Sequence, residues 1–309
     1  MDEFELIQKN FVRGGEVAGV STGIGDDGAV LQPDPGKELI AVMDTLVEGI
    51  HFPDATDPFD IGYRVVAVNL SDVAAMGGRP RWMTLALTLP AAEESWIARF
   101  ADGLHAAAGE FDLALVGGDT TTGKILVVSV QIIADIESGK AIKRSGAQPG
   151  DHIYVTGTVG DAAAGLELIS SGESHPYLST RFLRPNARVD FGQALVGAAS
   201  AAIDVSDGLF ADLGKLLAAS GVGGVLNIEA LPLSLELRES FDIESQRRFA
   251  LSGGDDYELC FTVAPDSKLP ATETAATRIG TVVAGEQLTC RLDGALVPYE
   301  DSGYLHFND

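Results

Sequence analysis

Aspartates that end apolar runs and enter Gly, Ser or Thr turns are the residues of this chain best suited to chemistry. Six segments carry them: Asp26-Asp27, Asp44, Asp72, Asp119, Asp204 with Asp207, and Asp255-Asp256. One such Asp is usually part of its turn, because Asp hydrogen-bonds nearby backbone amides. Repetition at so many sites favours a shared task. Oxygen ligands without His or Cys suit hard cations, above all Mg²⁺ accompanied by phosphates, so the pattern predicts metal-dependent phosphoryl transfer. A non-catalytic metal-binding module is the alternative from a different class.

The segment from Asp57 to Arg81 contains the element that should position Asp72. Asp57 and Pro58 suit a helix start, and Gly77-Gly78 suits a helix end. The spacing predicts one buried helical face formed by Ile61, Val65, Val68, Asp72 and Ala75. A carboxylate on that face needs a cation or hydrogen-bond donors, and Asn69 lies on the same side. A helix cap or a core ion pair is the alternative explanation for Asp72.

Two glycine-rich segments imitate nucleotide-binding motifs without meeting their requirements. Gly23 to Gly28 has the G-x-G-x-x-G spelling, but no strand precedes it, no helix follows, and two carboxylates stand where a pyrophosphate should approach. The segment Gly118 to Lys124 nearly spells a Walker A loop, but Ile125 replaces the required Ser or Thr and a β-rich run follows. We reject both interpretations.

Strand and helix patterns alternate in both halves of the chain, which predicts an α/β (α+β) protein of two domains. Length supports this division, since 309 residues exceed one ordinary core. Turn residues between Ser138 and Asp151 flank the basic patch Lys140, Lys143 and Arg144, so we expect domains at 1–137 and 138–309. The strand Leu39 to Met43 should end on Asp44, and Leu113 to Val116 should lead into the turn that holds Asp119.

Composition excludes several classes of function. The formal charge of −24, from 45 acidic and 21 basic residues, opposes binding to nucleic acid or anionic membranes, although part of it can reflect salt adaptation. No apolar run approaches the roughly 20 residues of a membrane span, and the N-terminus shows no secretory signal. Cys260 and Cys290 have no paired spacing, which argues against a disulfide framework or a zinc site and for a cytoplasmic protein.

Nine motifs together resemble the thiamine-monophosphate kinase family, within the superfamily of aminoimidazole ribonucleotide synthetase, selenophosphate synthetase and a hydrogenase maturation protein. They occur in that family's order over nearly the whole chain: GIGDDGAVL, DTLVEGIHF, VNLSDVAAMG, MTLALTLP, GGDTT, RSGAQPGD, YVTGTVGD, AIDVSDGL and LSGGDDYELCF. The resemblance implies a two-domain synthetase-like ATP-binding fold, in which each domain is a mixed sheet covered by helices and the N-terminal sheets pair across a homodimer. It also implies ATP-dependent conversion of thiamine monophosphate to the diphosphate with several Mg²⁺ ions.

The resemblance assigns a role to each matching residue. The metal ligands would be Asp27, Met43, Asp44, Asp72, Asp119, Asp204 and Asp207. Among them, Asp72, Asp119 and Asp207 would act in catalysis. The ATP-binding residues would be Gly118, Asp119, Arg144 and Ser206, and the thiamine monophosphate contacts would be His51, Asp255 and Tyr304. The acceptor is itself an ionised phosphate, so we expect direct in-line transfer without a strong general base or a phosphoenzyme.

This chain departs from the family pattern at two of these positions. Val42-Met43 replaces the Ser-Thr of many relatives, so Met43 offers only its backbone carbonyl, and Asp255 replaces a Glu. From the residues alone, His51 also fits a packed histidine, Tyr304 a core anchor and Arg144 a solvated basic face. Asp26 also fits a residue that only supports Asp27, and Asp256 fits one that only supports Asp255. A sibling ATP-dependent synthetase is the nearest functional alternative, although selenophosphate synthetases carry an N-terminal Cys or selenocysteine and both cysteines here lie beyond residue 259.

Overall fold

The chain forms two compact units, seen in a computed structural model that describes residues 3–12, 17–297 and 299. The first unit comprises the described residues up to Val73 together with Gly78–Gly139. The second comprises Ala74–Gly77 and the described residues from Lys140 onward. Each unit has its own sheet.

The first unit is built on a mixed four-stranded sheet. Its elements in chain order are α1 (Glu3–Asn10), β1 (Val20–Thr22), β2 (Val30–Leu31), β3 (Lys37–Val47), α2 (Pro58–Ala75), β4 (Arg79–Leu89), α3 (Glu94–Gly109), β5 (Ala114–Thr122) and β6 (Val127–Glu137). The sheet has the order β3-β6-β4-β5, with β4 and β5 parallel and the other neighbours antiparallel. The short strands β1 and β2 form a separate antiparallel pair.

Helix α2 begins where the sequence predicts, since the Asp57 carboxylate accepts the Phe59 amide at 2.8 Å. Its burial is wider than the single face that the periodicity indicates. The residues from Val65 to Ser71 are all buried, whereas Asp72 is only half-buried. The expected place of Asp72 on the buried stripe is therefore wrong. A helix enclosed on nearly every side no longer marks its buried face by apolar spacing.

Two predicted strands are longer than the sequence indicates, and this changes where their aspartates lie. Strand β3 continues to Val47, so Asp44 lies inside it opposite Val130 of β6, and does not end the strand. Strand β5 continues through Gly118 and Asp119 to Thr122, pairing with β4. Glycine usually weakens strands, but Gly117 and Gly118 stay in β5 because they pair with Thr84 and Leu85 of β4.

The second unit contains a mixed seven-stranded sheet within the described residues. Its elements are β7 (His152–Thr156), α4 (Asp161–Ser170), α5 (Pro176–Leu183), α6 (Val189–Ala194), β8 (Ala201–Asp204), α7 (Leu209–Ser220), β9 (Gly223–Asn227), a 3₁₀ turn (Ile228–Ala230), α8 (Leu235–Ser240), α9 (Ile243–Ser252), β10 (Leu259–Val263), β11 (Ala276–Val283), β12 (Leu288–Leu292) and β13 (Ala295–Val297). The order is β13-β12-β9-β11-β7-β10-β8, and only the pair β12/β9 is parallel.

The core of the second unit forms where helix α7 packs on this sheet. Leu213, Leu216 and Leu217 of α7 join Ile153 of β7 and Ile203 of β8 in one buried cluster. The strands β8 and β10 are buried along their whole length, although β8 lies at the edge of the sheet. Strand β8 ends at Asp204, and strand β10 begins at Leu259, shortly after Asp255. Two buried strands therefore fix the positions of both aspartate segments.

Helices α2 and α3 pack closely through two glycines. A Cβ placed on Gly103 of α3 would lie 1.9 Å from the Phe59 carbonyl oxygen, and one on Gly62 of α2 would lie 2.1 Å from that of Phe100. Contacts this short leave no space for a methyl group, so the two backbones approach closely only because these residues lack side chains.

We expect Gly103→Ala to lower the free energy of unfolding by about 1–3 kcal/mol, because the added methyl group forces the two helices apart. Gly109→Ala at the end of the same helix is the matched control, since its Cβ would meet no atom within 4 Å. Its higher helix propensity should leave stability equal or slightly raised. Urea unfolding followed by circular dichroism measures both, and equal stability of the two variants would contradict the close packing.

Candidate active site

Three residues predicted to bind metal or ATP meet at a cavity of the first unit. The cavity has a volume of about 420 Å³ and is lined by Asp27, Gly118 and Asp119, with the apolar side chains of Ile7, Phe11 and Leu115. The two carboxylates are exposed. The glycine is required, since a Cβ at Gly118 would lie 2.0 Å from the Leu85 carbonyl oxygen of β4. This cavity offers carboxylates on one side and apolar surface on another.

Asp26 supports its neighbour in the way that the sequence suggests. Its Oδ1 accepts the backbone amide of Asp27 at 2.8 Å, which fixes the turn leading to that residue. Such a bond is typical of Asp in turns and needs no further role.

Asn69 joins the strand that carries Asp44 to the helix that carries Asp72. Its Oδ1 accepts the Asp44 amide at 2.9 Å, and its Nδ2 donates to the Val65 carbonyl at 2.8 Å. Asn69 is fully buried, so both halves of its amide are paired inside the unit. The side chain of Met43 is 59% exposed. Asn69 thus holds the backbone of β3 at Asp44 against α2, one turn before Asp72.

His51 closes the turn after β3. Its Nδ1 accepts the Val47 amide at 3.0 Å, and its own amide donates to the Val47 carbonyl at 2.9 Å. In the neutral ring, an accepting Nδ1 leaves the proton on Nε2. The turn therefore fixes both the position of His51 and its tautomer, while the side chain remains half-buried.

Two predicted aspartate segments of the second unit lie side by side. Asp204 is the buried last residue of β8 and leads into the loop of Ser206 and Asp207. The Asp255 amide donates to the Ser206 carbonyl at 2.8 Å, and the Tyr257 amide donates to the Val205 carbonyl at 2.9 Å. The structure thus brings together the two aspartate segments predicted in this unit.

Backbone geometry explains the glycines and the strain in these loops. Gly254 has φ of +69°, and its Cβ would lie 2.6 Å from the Ser206 carbonyl oxygen, so only glycine fits between the loops. Asp255 and Tyr257 also adopt left-handed φ values, of 61° and 51°. Such a conformation is costly for Tyr and persists where the surroundings enforce it. The Tyr257 hydroxyl donates to Asp255 Oδ1 at 3.2 Å.

Asp212 and Lys215 are two residues of this region that the sequence reasoning missed. The Oδ2 atom of Asp212 accepts the amides of Ser206 and Asp207, both at 2.9 Å. The Lys215 ammonium donates to Asp212 Oδ1 at 2.8 Å and also pairs with Asp207. Burial raises the pKa of the Asp212 carboxyl, although Lys215 opposes the rise. Partial burial works against protonation of Lys215, but the two carboxylates together raise its pKa. The signal that the sequence offered for Asp212 was an acidic residue one turn into the helix that follows the DVSDG segment.

Asp256 caps helix α4, which agrees with a supporting role beside Asp255. Its two carboxylate oxygens accept the amides of Gly160 at 2.6 Å and Ala162 at 3.2 Å. Complete burial raises the pKa of Asp256 to about 8, against the opposing effect of Arg181 and the two amides. The cost of burying this carboxylate is therefore only partly offset by its donors.

Glu258 is the centre of a buried ionic network that the sequence did not reveal. It is fully buried and accepts from Thr156 Oγ1 at 2.6 Å and from Arg181 Nη2 at 2.9 Å. Arg188 adds a bidentate pair at 2.7 and 2.6 Å. These bonds fix Glu258, the residue directly after Tyr257. They therefore hold the strained backbone at Asp255 and Tyr257 in place.

The structure does not test two of the residues predicted to contact ligands, Arg144 and Tyr304. Arg144 is exposed, and its carbonyl accepts the Ser220 hydroxyl at 3.1 Å, which fixes its backbone. Tyr304 lies outside the described residues. Their roles toward ATP and thiamine monophosphate stay predictions.

The donor chemistry of these residues suits magnesium. The candidate ligands offer carboxylate and carbonyl oxygens, which hard divalent cations prefer. Over residues 3–12, 17–297 and 299, no group of three or more His, Cys, Asp or Glu is already arranged around one point. The proposed ligand set therefore remains a prediction, and Asp207 is already paired with Lys215. In the same part of the chain, no helix is both long and apolar enough to span a membrane.

Comparisons with known proteins agree with this arrangement of two units. Residues 25–136 match the model of the AIR synthase related protein, N-terminal domain, and residues 148–293 match that of the C-terminal domain. Fold and matches together define a two-domain AIR synthase related protein. Solved hydrogenase maturation proteins, at 19–20% identity and TM-scores of 0.74–0.76, share the fold alone.

Several relatives indicate a narrower family than the two domain models do. Thiamine-monophosphate kinase of Salmonella typhimurium is 47% identical over 99% of this chain and 98% of its own, and that of Bacillus subtilis is 36% identical over 99% and 100%. The crystal structure of the Stenotrophomonas maltophilia enzyme is 44% identical, with a TM-score of 0.85 over 91% and 93% of the two chains. A structure described as AaThiL complexed with AMPPCP and TMP is 36% identical, with a TM-score of 0.81 over 93% of each chain. The chain belongs to the thiamine-monophosphate kinase family.

The raised pKa of Asp256 predicts a pH-dependent stability. The folded chain favours the protonated carboxyl, so this contribution is complete below the ordinary pKa of 3.8 and is lost as the pH rises through about 8. Asn carries no titrating proton and keeps an acceptor for the α4 amides. Between pH 5 and pH 9 the thermal midpoint of the wild type should therefore fall relative to that of Asp256→Asn. Parallel pH profiles of the two proteins would contradict the assignment.

Breaking the network at Glu258 should destabilise the second unit strongly. In Glu258→Gln the buried Arg181 and the partly buried Arg188 lose the carboxylate that they share, and we expect a loss of about 3–5 kcal/mol in the free energy of unfolding. Glu167→Gln is the matched control, since Glu167 pairs with Arg248 at the surface. Its effect should stay below about 1 kcal/mol. Chemical denaturation of both variants measures the difference.

Proposed function

We propose that this chain transfers the γ-phosphoryl group of ATP to the phosphate of thiamine monophosphate, which yields thiamine diphosphate and ADP. The observation that carries this proposal is the likeness over 93% of the chain to a structure described as complexed with AMPPCP and TMP. The carboxylate and glycine geometry of the cavity at Asp27, Gly118 and Asp119 supports it, because such a surface accepts polyphosphate only together with cations.

The reaction needs positioning and charge neutralisation more than acid–base chemistry. An oxygen of the substrate phosphate, ionised near neutral pH, attacks the γ-phosphorus in line. A new P–O bond forms as the bond to the bridging oxygen of ADP breaks, so no phosphoenzyme arises. Because the nucleophile is already anionic, no side chain has to remove a proton at the moment of attack.

The chain's own residues divide this task between binding metal, nucleotide and substrate. The oxygens of Asp27, Met43, Asp44, Asp72, Asp119, Asp204 and Asp207 would hold Mg²⁺, with Met43 acting through its carbonyl. When bound, these ions would neutralise the facing phosphates. Gly118, Asp119, Arg144 and Ser206 would bind ATP, and Arg144 brings a positive charge to its phosphates. His51, Asp255 and Tyr304 would bind thiamine monophosphate.

The proposal extends to a cytoplasmic homodimer. Strand β3 is an edge strand of the first unit, and it exposes Leu39 by 50% and Met43 by 59%. An open edge with apolar side chains is suited to pairing with a second copy. The two buried thiols of Cys260 and Cys290 are compatible with a reducing compartment.

The activity is tested with an assay that couples ADP release to NADH oxidation, using thiamine monophosphate, free thiamine and aminoimidazole ribonucleotide precursors in parallel. We expect turnover with thiamine monophosphate only, because a site built for a substrate phosphate rejects an analogue without one. EDTA should abolish it. Turnover with a precursor of aminoimidazole ribonucleotide would favour a sibling synthetase, and no turnover with any of them would favour a metal-binding module.

Asp119→Asn should lower kcat/KM for thiamine monophosphate by about 100-fold, as loss of a charged group aimed at the reacting phosphates does in other enzymes. Asp112→Asn is the matched control. Asp112 is exposed in the turn before β5, it does not line the cavity, and Asn tolerates its left-handed φ of 52°. Its activity should equal that of the wild type. Equal activity of both variants would remove Asp119 from the site.

A further inference from the structure

Lys215 lies between two carboxylates beside the Asp204–Asp207 segment, at a point where a bound cation is predicted. Its ammonium pairs with Asp207, whose side chain is 34% exposed, and with Asp212, which is 1% exposed. Lys215 and Asp212 are three residues apart on α7 and therefore share one helical face. The ammonium group is thus placed by the helix and does not depend on the loop for its position.

Asp212 serves the loop and the lysine with different oxygens. Its Oδ2 accepts the amides of Ser206 and Asp207, and its Oδ1 accepts the Lys215 ammonium. Release of Lys215 from Asp207 therefore breaks none of the bonds that shape the loop. The ammonium would also stay beside the loop after such a release, because its bond to buried Asp212 remains.

The same Asp207 oxygen cannot serve both cations. Lys215 bonds Oδ2 of Asp207, and an ammonium group at that oxygen repels a divalent cation approaching it. Without a cation, Asp207 would lie beside the Asp212 carboxylate with no positive charge to separate them. The lysine removes this repulsion in the unliganded protein.

We infer that Lys215 is the resident counter-ion of the Asp204–Asp207 loop, which neutralises Asp207 in the unliganded protein and competes there with the divalent cation. This inference deepens the proposed function, since it rests on Asp207 being a magnesium ligand. It assigns to Lys215 a regulating effect on metal affinity. On release from Asp207, the ammonium held by Asp212 remains close to the anionic ligand that the metal brings.

The test is a magnesium titration of the full chain without nucleotide or substrate, followed by the thermal unfolding midpoint at constant pH and ionic strength. In Lys215→Met, which keeps the apolar stem, the magnesium concentration for half-maximal stabilisation should fall about two- to fivefold, the range that a partly exposed ion pair provides. The midpoint in EDTA should fall as well, because Asp212 loses its cation. Lys9→Met, which removes an exposed lysine–carboxylate pair in the first unit, should leave the magnesium dependence unchanged.

A double-variant comparison isolates the competition at Asp207. In the Asp207→Asn background, the change Lys215→Met should alter the half-maximal magnesium concentration less than in the wild type. An equal change in both backgrounds, or an unchanged or raised concentration in Lys215→Met, would overturn the inference. If Asp207→Asn alone leaves magnesium stabilisation as in the wild type, the inference also fails, and the kinase assay remains an independent test of the proposed function. Absent kinase activity with the expected magnesium shifts would instead refute the function and leave the counter-ion intact.

Discussion

Repulsion between carboxylates is the constraint on which the arrangement of this chain depends. With 45 acidic and 21 basic residues, the protein has far fewer cations than anions, yet it buries Asp212, Asp256 and Glu258. Each of these is met in a different way: Asp256 by helix amides, Asp212 by loop amides and one lysine, and Glu258 by two arginines and a threonine. Buried charges without such donors would cost several kcal/mol each. Three of the scarce cations, Arg181, Arg188 and Lys215, therefore lie beside carboxylates that the fold removes from water.

This use of cations has a consequence for the candidate site. The carboxylates at the first-unit cavity are exposed, whereas Asp207 and Asp212 of the second unit are paired with Lys215. An exposed carboxylate loses little when a cation replaces its water, but a paired one must first release its partner. We therefore expect the predicted ligands to differ in how readily they bind a cation. Asp207 is the predicted ligand at which Lys215 and a metal ion compete most directly.

The sequence predicts the fold and the grouping of residues better than it predicts their surroundings. Apolar runs and turn residues place the start of α2 and locate the strands β3 and β5, because local patterns determine such elements. They fail for Asp44 and Asp119, which lie inside strands because neighbouring strands extend the pairing. They also fail for Asp72, whose helix is enclosed on nearly all sides. In each of these cases the decisive interactions come from distant parts of the chain, which a local pattern does not contain.

The supporting residues of the second unit were the hardest to foresee, for a related reason. Glu258 lies 70 residues from Arg188 and 102 from Thr156, so no spacing rule connects them. Asp212 is different, since it stands near its loop, but a helix aspartate ordinarily faces solvent and only its burial distinguishes it. Family resemblance identifies residues that meet ligands, because their types recur in motifs. Residues that hold those motifs in shape are recognised by their hydrogen bonds. The strained backbone of Asp255 and Tyr257 makes the distinction concrete: the substrate contact predicted there exists only if Asp256 and Glu258, on either side of Tyr257, keep that turn closed.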